Sequence, residues 1–358
     1  MHSVPLVHTT RGYPASTAQA APDAHANDIA SACPSGFTVE NVHMGSVAVV
    51  DTRGKLLWSV GDPDALIFTR SALKPFQALP FMLADGPARF GLSSAELALL
   101  CASHSGEAKH LAGVQAILSK IGMDEKHLEC GCGTPLYYDS VGIPVPPLAW
   151  RALHHNCSGK HSGFLAWCRL HDVPSADYVH PSHRLQQEIR RTLAATVGMP
   201  EARMPTGIDG CSAPNYALPL NRLAHLFARL ASGAADAQHG AAMGDLYDAM
   251  TRHPDLVSGE GRCDLAYMQA GAGDWVSKVG ADGVQAIGVR SAGLGIAIKI
   301  GDGASRALHT ATFSVLEQLG LLNPARRALL DQYRQPLLKS ARGATVGDIR
   351  AVLKLRGG

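Results

Sequence analysis

The segment TRSALKPFQALP, Thr69 to Pro80, sets Ser71 three residues before Lys74 and puts Pro75 directly after the lysine. Residues three apart on a helix share a face and lie within reach of one another. Proline is tolerated in the first helical turn, where the amide has no intrahelical partner. The spacing therefore predicts a helix beginning near Ser71, with the hydroxyl and the amine side by side. A developing anion is stabilised at the positive end of a helix. A lysine whose pKa is lowered by burial can take the hydroxyl proton there. By itself S-x-x-K is a weak signal, and two polar residues beside an apolar stripe is the plainer reading.

Composition bounds what such a pair could serve. The chain has 358 residues, 46% of them apolar, enough to bury a large core as one domain or two. Only 17% are charged and the net charge is +2, so no basic surface is available for a phosphate backbone, and nucleic acid is not an expected partner. MHSVPLVHTTRG at the start lacks both the basic opening and the apolar run of a secretory signal. No stretch reaches the ~18 uncharged apolar residues of a spanning helix. A cytoplasmic protein without a membrane partner is the expectation. The eight cysteines show no framework spacing and should be mostly reduced, with Cys101 and Cys168 buried as small hydrophobes.

Outward from Ser71, MGSVAVVD (Met44 to Asp51) and KLLWSV (Lys55 to Val60) are strand-like runs joined by TRG, which reads as a hairpin. Pro14 to Gly36 is rich in Ala, Ser, Pro and Asp without periodicity and reads as an inserted loop, with Cys33 incidental within it. From Lys74 to about Arg252 the pattern is largely helical, and SSAELALL offers Ser93 and Glu96 as a capping box. DWVSKVGADGVQAIGVR and LGIAIKIGDG then return to glycine-punctuated Val and Ile alternation. Strands at both ends around a helical middle predict an α+β fold. Its antiparallel sheet is made from the N- and C-terminal strands and packs against a helical cluster.

Two later features change the weight of Ser71 and Lys74. Active-site-serine enzymes that use S-x-x-K also carry a Ser-containing triplet and a K-x-G on a returning strand. Here SHS (Ser103 to Ser105) follows a predicted helix, and KVG (Lys278 to Gly280) lies in the strand-like run near the C-terminus. The order is that of those enzymes, and so is the expected serine β-lactamase-like architecture.

RSALKP, CASHSGE, CSGKHSG, DGCSAP, HPDLVSGEGR and SKVGADGVQAIGV together resemble the asparaginase II family, the zinc-containing type related in fold to serine β-lactamases and glutaminases. The resemblance runs from about Val39 to Gly358, with LVHTTRG as the family's first strand. Residues 1–358 are thus expected to form a single catalytic unit with an insertion at about 14–36. The resemblance implies hydrolysis of L-asparagine to L-aspartate and ammonia by a homodimer. It pairs Ser71 with Lys74 in one dyad and Ser103 with Lys278 in a second, and it puts Arg70, His161, Asp209 and Asp264 around the substrate. An amide carbonyl needs a nucleophile activated by a base, and its leaving amine needs a proton donor. Ser71 is the expected nucleophile and Lys74 its base. Ser103 and Lys278 would relay protons, activate the deacylating water or stabilise negative charge.

The family's metal site maps onto Cys157, Lys160 and Cys211, with zinc as the implied cofactor. From chemistry alone CSGKH nominates His161, since imidazole is a common zinc ligand and lysine must lose its proton to bind a cation. Under the resemblance His161 stands behind the ligands or touches substrate, and Asp209 orients its neighbours. The chain departs from the family's pattern in places. Cys263 and Asp264 follow GEGR where some members carry a cysteine one position later, so Asp264 is the positional equivalent. ECGCGTP keeps Cys130 but has glycine or threonine where a histidine often follows. A β-lactamase or penicillin-binding enzyme would share the serine and lysine motifs, L-glutaminase is the neighbouring amidase, and a non-catalytic binding module would show no turnover.

Overall fold

In the computed structural model, which describes residues 3–12 and 37–358, the two ends of the chain meet in one antiparallel sheet. The expected insertion at about 14–36, with Cys33, lies outside the described residues. β1 (Val4–Gly12) pairs with the first half of β2 (Phe37–Asp51), and TRG turns β2 into β3 (Leu56–Val60), the expected hairpin. β4 (Leu66–Phe68), β5 (Thr206–Ile208) and β6 (Pro214–Pro219) form a small separate sheet, and β5 and β6 interrupt the stretch read as largely helical. β7 (Trp275–Gly280), β8 (Val284–Val289) and β9 (Leu294–Ile300) return to the main sheet, and β9 lies against β2. β10 (Leu337–Lys339) and β11 (Thr345–Ala351) extend it beyond β1, and β12 (Arg356–Gly357) pairs with β3.

Alternate side chains of a strand point to opposite faces. Ala48 and Val50 of β2 join one core with Ala286 and Ala297, while Val47 and Val49 join a second with Ile287, Ile296 and Ile298. Strands buried on both faces read as near-continuous apolar runs, as β8 and β9 do.

The first face is covered by the middle of the chain. That layer holds α1 (Lys74–Leu83), α2 (Gly86–Phe90), α3 (Ser94–Leu100), α4 (Ala108–Lys120) and α5 (Leu136–Val141). It continues with α6 (Ser158–Leu170), α7 (Arg184–Val197), α8 (Leu220–Ser232), α9 (Gly240–Arg252) and α10 (Pro254–Val257). The capping box at α3 forms as its sequence promises, with the Ser93 amide donating to Glu96 Oε2 at 2.6 Å. α11 (Cys263–Gly271), α12 (Ser305–Gln318) and α13 (Pro324–Leu330) cover the second face. The α+β sheet from both termini is as expected, but the single helical cluster is two layers, because each apolar face needs its own cover.

α8 rests directly on the sheet. Gly288 and Gly295 are cross-strand partners, and a Cβ on Gly295 would lie 1.9 Å from the Ala224 carbonyl oxygen, one on Gly288 2.2 Å from that of Phe227. Only hydrogen fits between helix and strand. Gly295→Ala is expected to cost roughly 1–3 kcal/mol or more, seen as a lowered urea midpoint; an unchanged midpoint would mean that α8 can lift away freely.

Among the described residues no helix is long and apolar enough to cross a membrane. All described cysteines are free, and Cys101 and Cys168 are fully buried as expected.

Candidate active site

The turn that presents Ser71 is fixed from outside. The amide and hydroxyl of Thr69 both donate to the Tyr216 carbonyl on β6, at 3.2 and 2.9 Å. Arg70 follows with φ 51°, in the left-handed region that side chains rarely adopt, and its amide donates to Asn215 Oδ1 at 3.0 Å. A 3-10 turn, Arg70–Leu73, then runs into α1, with Pro75 in the first turn of that helix. The helix expected near Ser71 is thus tighter at its start. Ser71 is partly exposed, and its hydroxyl makes no hydrogen bond to any described residue.

Lys74 turns to a different serine. Its Nζ is buried and donates to the Ala102 carbonyl at 2.6 Å and to Ser103 Oγ at 2.8 Å. Burial lowers its pKa to about 8, assisted by the charges of Lys160 and Lys278 and opposed by Cys157 and Cys211. Ser103 is held in place because SHS is strung between two loops. The amides of Ser103 and Ser105 donate to the carbonyls of Val257 and Ser258 at 2.9 and 2.8 Å, and that of His104 to Asn156 at 3.1 Å.

β7 brings in the K-x-G. A Cβ on Gly280 would stand 2.7 Å from the Thr69 carbonyl oxygen, so glycine lets the strand end against the Ser71 turn. Lys278 Nζ, wholly buried, donates to Asp264 Oδ2 at 3.0 Å and to the Val279 carbonyl at 2.9 Å, and makes no hydrogen bond to Ser103. The hydrogen bonds therefore pair Lys74 with Ser103 and Lys278 with Asp264, rather than following the two expected dyads. Away from water an opposite charge outcompetes a neutral hydroxyl for an ammonium.

A third cluster lies at the start of α6. Cys157 precedes the helix, Lys160 lies in its first turn, and Cys211 comes from the loop between β5 and β6, all buried. Lys160 Nζ lies 3.0 Å from Cys211 Sγ. A hydrogen bond from Cys157, then the charge of Lys160, drive the Cys211 pKa far down against burial, while the same bond and burial raise that of Cys157.

A family model described as L-asparaginase II matches residues 35–351. The chain belongs to the L-asparaginase II family. That family is one of hydrolases acting on amides. Among solved structures the chain is similar to Mglu in its native form, at 14% identity over 78% of this chain and 65% of that one, with a TM-score of 0.42. It is similar also to a β-lactamase from Mycobacterium bovis, at 15% identity over 81% of this chain and 95% of that one, with a TM-score of 0.38. This chain spans 65% of the length of Mglu. Likenesses at these scores carry no argument, and family membership rests on the sequence match. No curated protein matches the chain.

Cys157, Lys160 and Cys211, the residues expected to hold a metal, do come together. His161 stands beside them, sharing a 2.7 Å hydrogen bond with the Tyr178 hydroxyl through Nδ1, while its buried Nε2 has no hydrogen-bond partner. Burial lowers the His161 pKa to about 4. Two sulfurs and an amine suit zinc, provided Lys160 gives up its proton. No three His, Cys, Asp or Glu side chains among the described residues could hold a metal ion, so the set depends on the lysine. CGC remains a loop, with Cys130 buried and Cys132 exposed.

The residues expected around substrate divide. Arg70 and Asp209 meet, Nε to Oδ1 at 2.9 Å, and Arg70 also pairs with Asp282. Arg70 borders an open cavity of about 520 Å³ together with Phe68, Asn215, Asp282 and Lys299. Asp264 is not placed to touch substrate, because it is fully buried and both its oxygens are taken by the chain's own donors. Sequence reasoning missed Ser277, Gln285 and Tyr178. Gln285 left a signal, as the one polar side chain of a wholly buried strand, where such a group must find a partner. Tyr178 lies in no motif and left none.

Proposed function

We propose that this L-asparaginase II family member hydrolyses L-asparagine to L-aspartate and ammonia through an ester on Ser71. The observation that carries the reading is the buried 2.8 Å contact of Lys74 Nζ with Ser103 Oγ, one turn from a partly exposed Ser71. Neutral Lys74 takes the Ser71 proton as Oγ bonds to the side-chain amide carbon, whose C=O electrons move to oxygen. The proton passes through the Ser103 hydroxyl to the amide nitrogen, the C–N bond breaks and ammonia leaves. Water then gives a proton to Lys74 and attacks the ester, and Ser71 Oγ is reprotonated as L-aspartate departs. The positive end of the α1 helix favours the anionic oxygen in both steps. Arg70 and Asp209 are the proposed contacts for the substrate's own charged groups.

Zinc is the proposed cofactor, with Cys157, Lys160 and Cys211 as the residues that would hold it and His161 Nε2 beside them. When bound it would supply positive charge to a substrate oxygen or tie together the two segments that carry its ligands. The family's homodimer belongs to the same reading and would sediment at twice the mass of one chain.

The zinc-loaded protein is expected to release ammonia from L-asparagine, with kcat/KM for L-glutamine lower by roughly tenfold or more, since one methylene is worth about 1–3 kcal/mol. A chromogenic cephalosporin should survive. Ammonia from neither amide would sink the reading, and cephalosporin turnover would favour a β-lactamase.

A further inference from the structure

Asp264 and Lys278 form an ion pair in which both side chains are fully buried. Oδ2 of Asp264 accepts from Lys278 Nζ at 3.0 Å and from the Val279 amide at 2.9 Å. Oδ1 accepts from the Ser277 hydroxyl at 2.7 Å and from Gln285 Nε2 at 3.3 Å, and Gln285 Nε2 also donates to Ser277 Oγ at 2.9 Å. Lys278 gives a second hydrogen to the Val279 carbonyl at 2.9 Å. A buried ion pair persists when its geometry is good and its remaining lone pairs are met by donors, and here each carboxylate oxygen has two. Burial alone would push the Asp264 pKa up. The Lys278 charge, the Val279 amide and the Ser277 hydroxyl outweigh burial and hold it below the ordinary carboxylate value.

The other titratable groups near Lys278 are Lys74 on α1, Cys101 just past α3 and Cys263 on α11. Burial pushes both thiols up to about 12, so neither offers Lys278 a rival negative charge. Lys74 is of like sign and spends its hydrogens on Ala102 and Ser103. Asp264 is thus the counter-ion of Lys278, and α11 delivers it to β7.

We infer that Asp264, backed by Ser277 and Gln285, is a positioning residue that fixes Lys278 as a permanent cation near the Lys74 and Ser103 pair, leaving Lys74 as the single base of the site. The inference rests on the serine and lysine reading above and deepens it. A fixed cation cannot accept the proton of the deacylating water. It stabilises negative charge instead, on the substrate or on the tetrahedral oxygen, in both half-reactions.

Side-chain NMR of protein labelled with 15N-lysine reads the proton count at Nζ without any turnover, with the Lys278 signal assigned by its absence in Lys278→Arg or Lys278→Met. In the wild type the signal is expected to be that of an ammonium wherever the enzyme is active, as its ion pair with Asp264 requires. In Asp264→Asn the proton should leave at least about one pH unit lower, a tenfold loss of proton affinity. In hydrolysis Lys278→Arg, whose guanidinium is never a base, should keep asparagine turnover within about tenfold, while Lys278→Met loses about 100-fold or more. Asp264→Asn should lose about 10- to 100-fold in kcat with KM nearly unchanged, and its pH–rate profile should gain a second ionisation. A Lys278 that titrates near neutrality in the wild type overturns the inference, as does Lys278→Arg falling as far as Lys278→Met. If Lys278→Arg does not fold, the NMR titration decides alone. If the wild type releases no ammonia from asparagine, the asparaginase reading fails while the titration still judges the Asp264 clamp.

Discussion

Ser71→Ala is expected to lower kcat for L-asparagine by about 10⁴-fold or more, the scale seen when an activated serine nucleophile is removed. Folding should hardly notice. The Ser71 hydroxyl is partly exposed and makes no hydrogen bond to a described residue, so its loss should stay within about 0.5 kcal/mol of wild-type stability. An inactive but normally stable variant therefore reports chemistry. Ser103→Ala is the informative comparison, because Ser103 is buried and bonded to Lys74. As a proton relay it should cost about 10²–10⁴-fold, the range of general acid–base contributions, and the aspartyl ester should still form on Ser71. Mass spectrometry of protein quenched during turnover would locate that ester. Finding it on Ser103, with Ser71→Ala still active, would exchange the two roles.

The second large effect concerns Lys74. A base must be neutral to act, and burial has lowered the Lys74 pKa to about 8, so its neutral fraction grows tenfold per pH unit below that value and levels off above it. Wild-type kcat/KM for asparagine should climb in the same way through about pH 8 and then flatten. Lys74→Arg keeps a cation there but never frees a base, so the rate should fall roughly 10³-fold and the rising limb should vanish. A wild-type rate that declines between about pH 6 and about pH 8 would contradict lysine as the base. The same shift bears on stability. Between about 8 and the ordinary value of 10.5 the unfolded chain holds a proton at Lys74 that the folded chain has released. The contribution of this residue to folding therefore improves as pH rises through that window.

Much of the site is legible in the chain because the chemistry sits in short local patterns. S-x-x-K, SHS, KVG and CSGKH each keep their reactive side chains within a few residues, so residue type and spacing survive whatever the fold does around them. The Ser93 and Glu96 cap, the TRG hairpin and the apolar strands are local in the same way, set by hydrogen bonding and side-chain period over one element. The second helical layer was hidden, since a strand buried on both faces shows only a run of apolar residues and does not say what lies on either side. The left-handed Arg70 was hidden too. It follows from β6 holding Thr69 and Asn215 reaching the Arg70 amide, two contacts from far along the chain.

The sequence by itself determined the family, the α+β sheet drawn from both termini, and the serines, lysines and cysteines that carry the proposed chemistry. Only the tertiary structure decided who pairs with whom. Lys74 lies three residues from Ser71 yet bonds Ser103, and Lys278 is met by Asp264, because α3 and α11 bring those partners to hydrogen-bonding distance of each Nζ. A proton transfer or an ion pair depends on about 3 Å between atoms. That distance is set by how helices and strands pack, and no spacing along the chain encodes it.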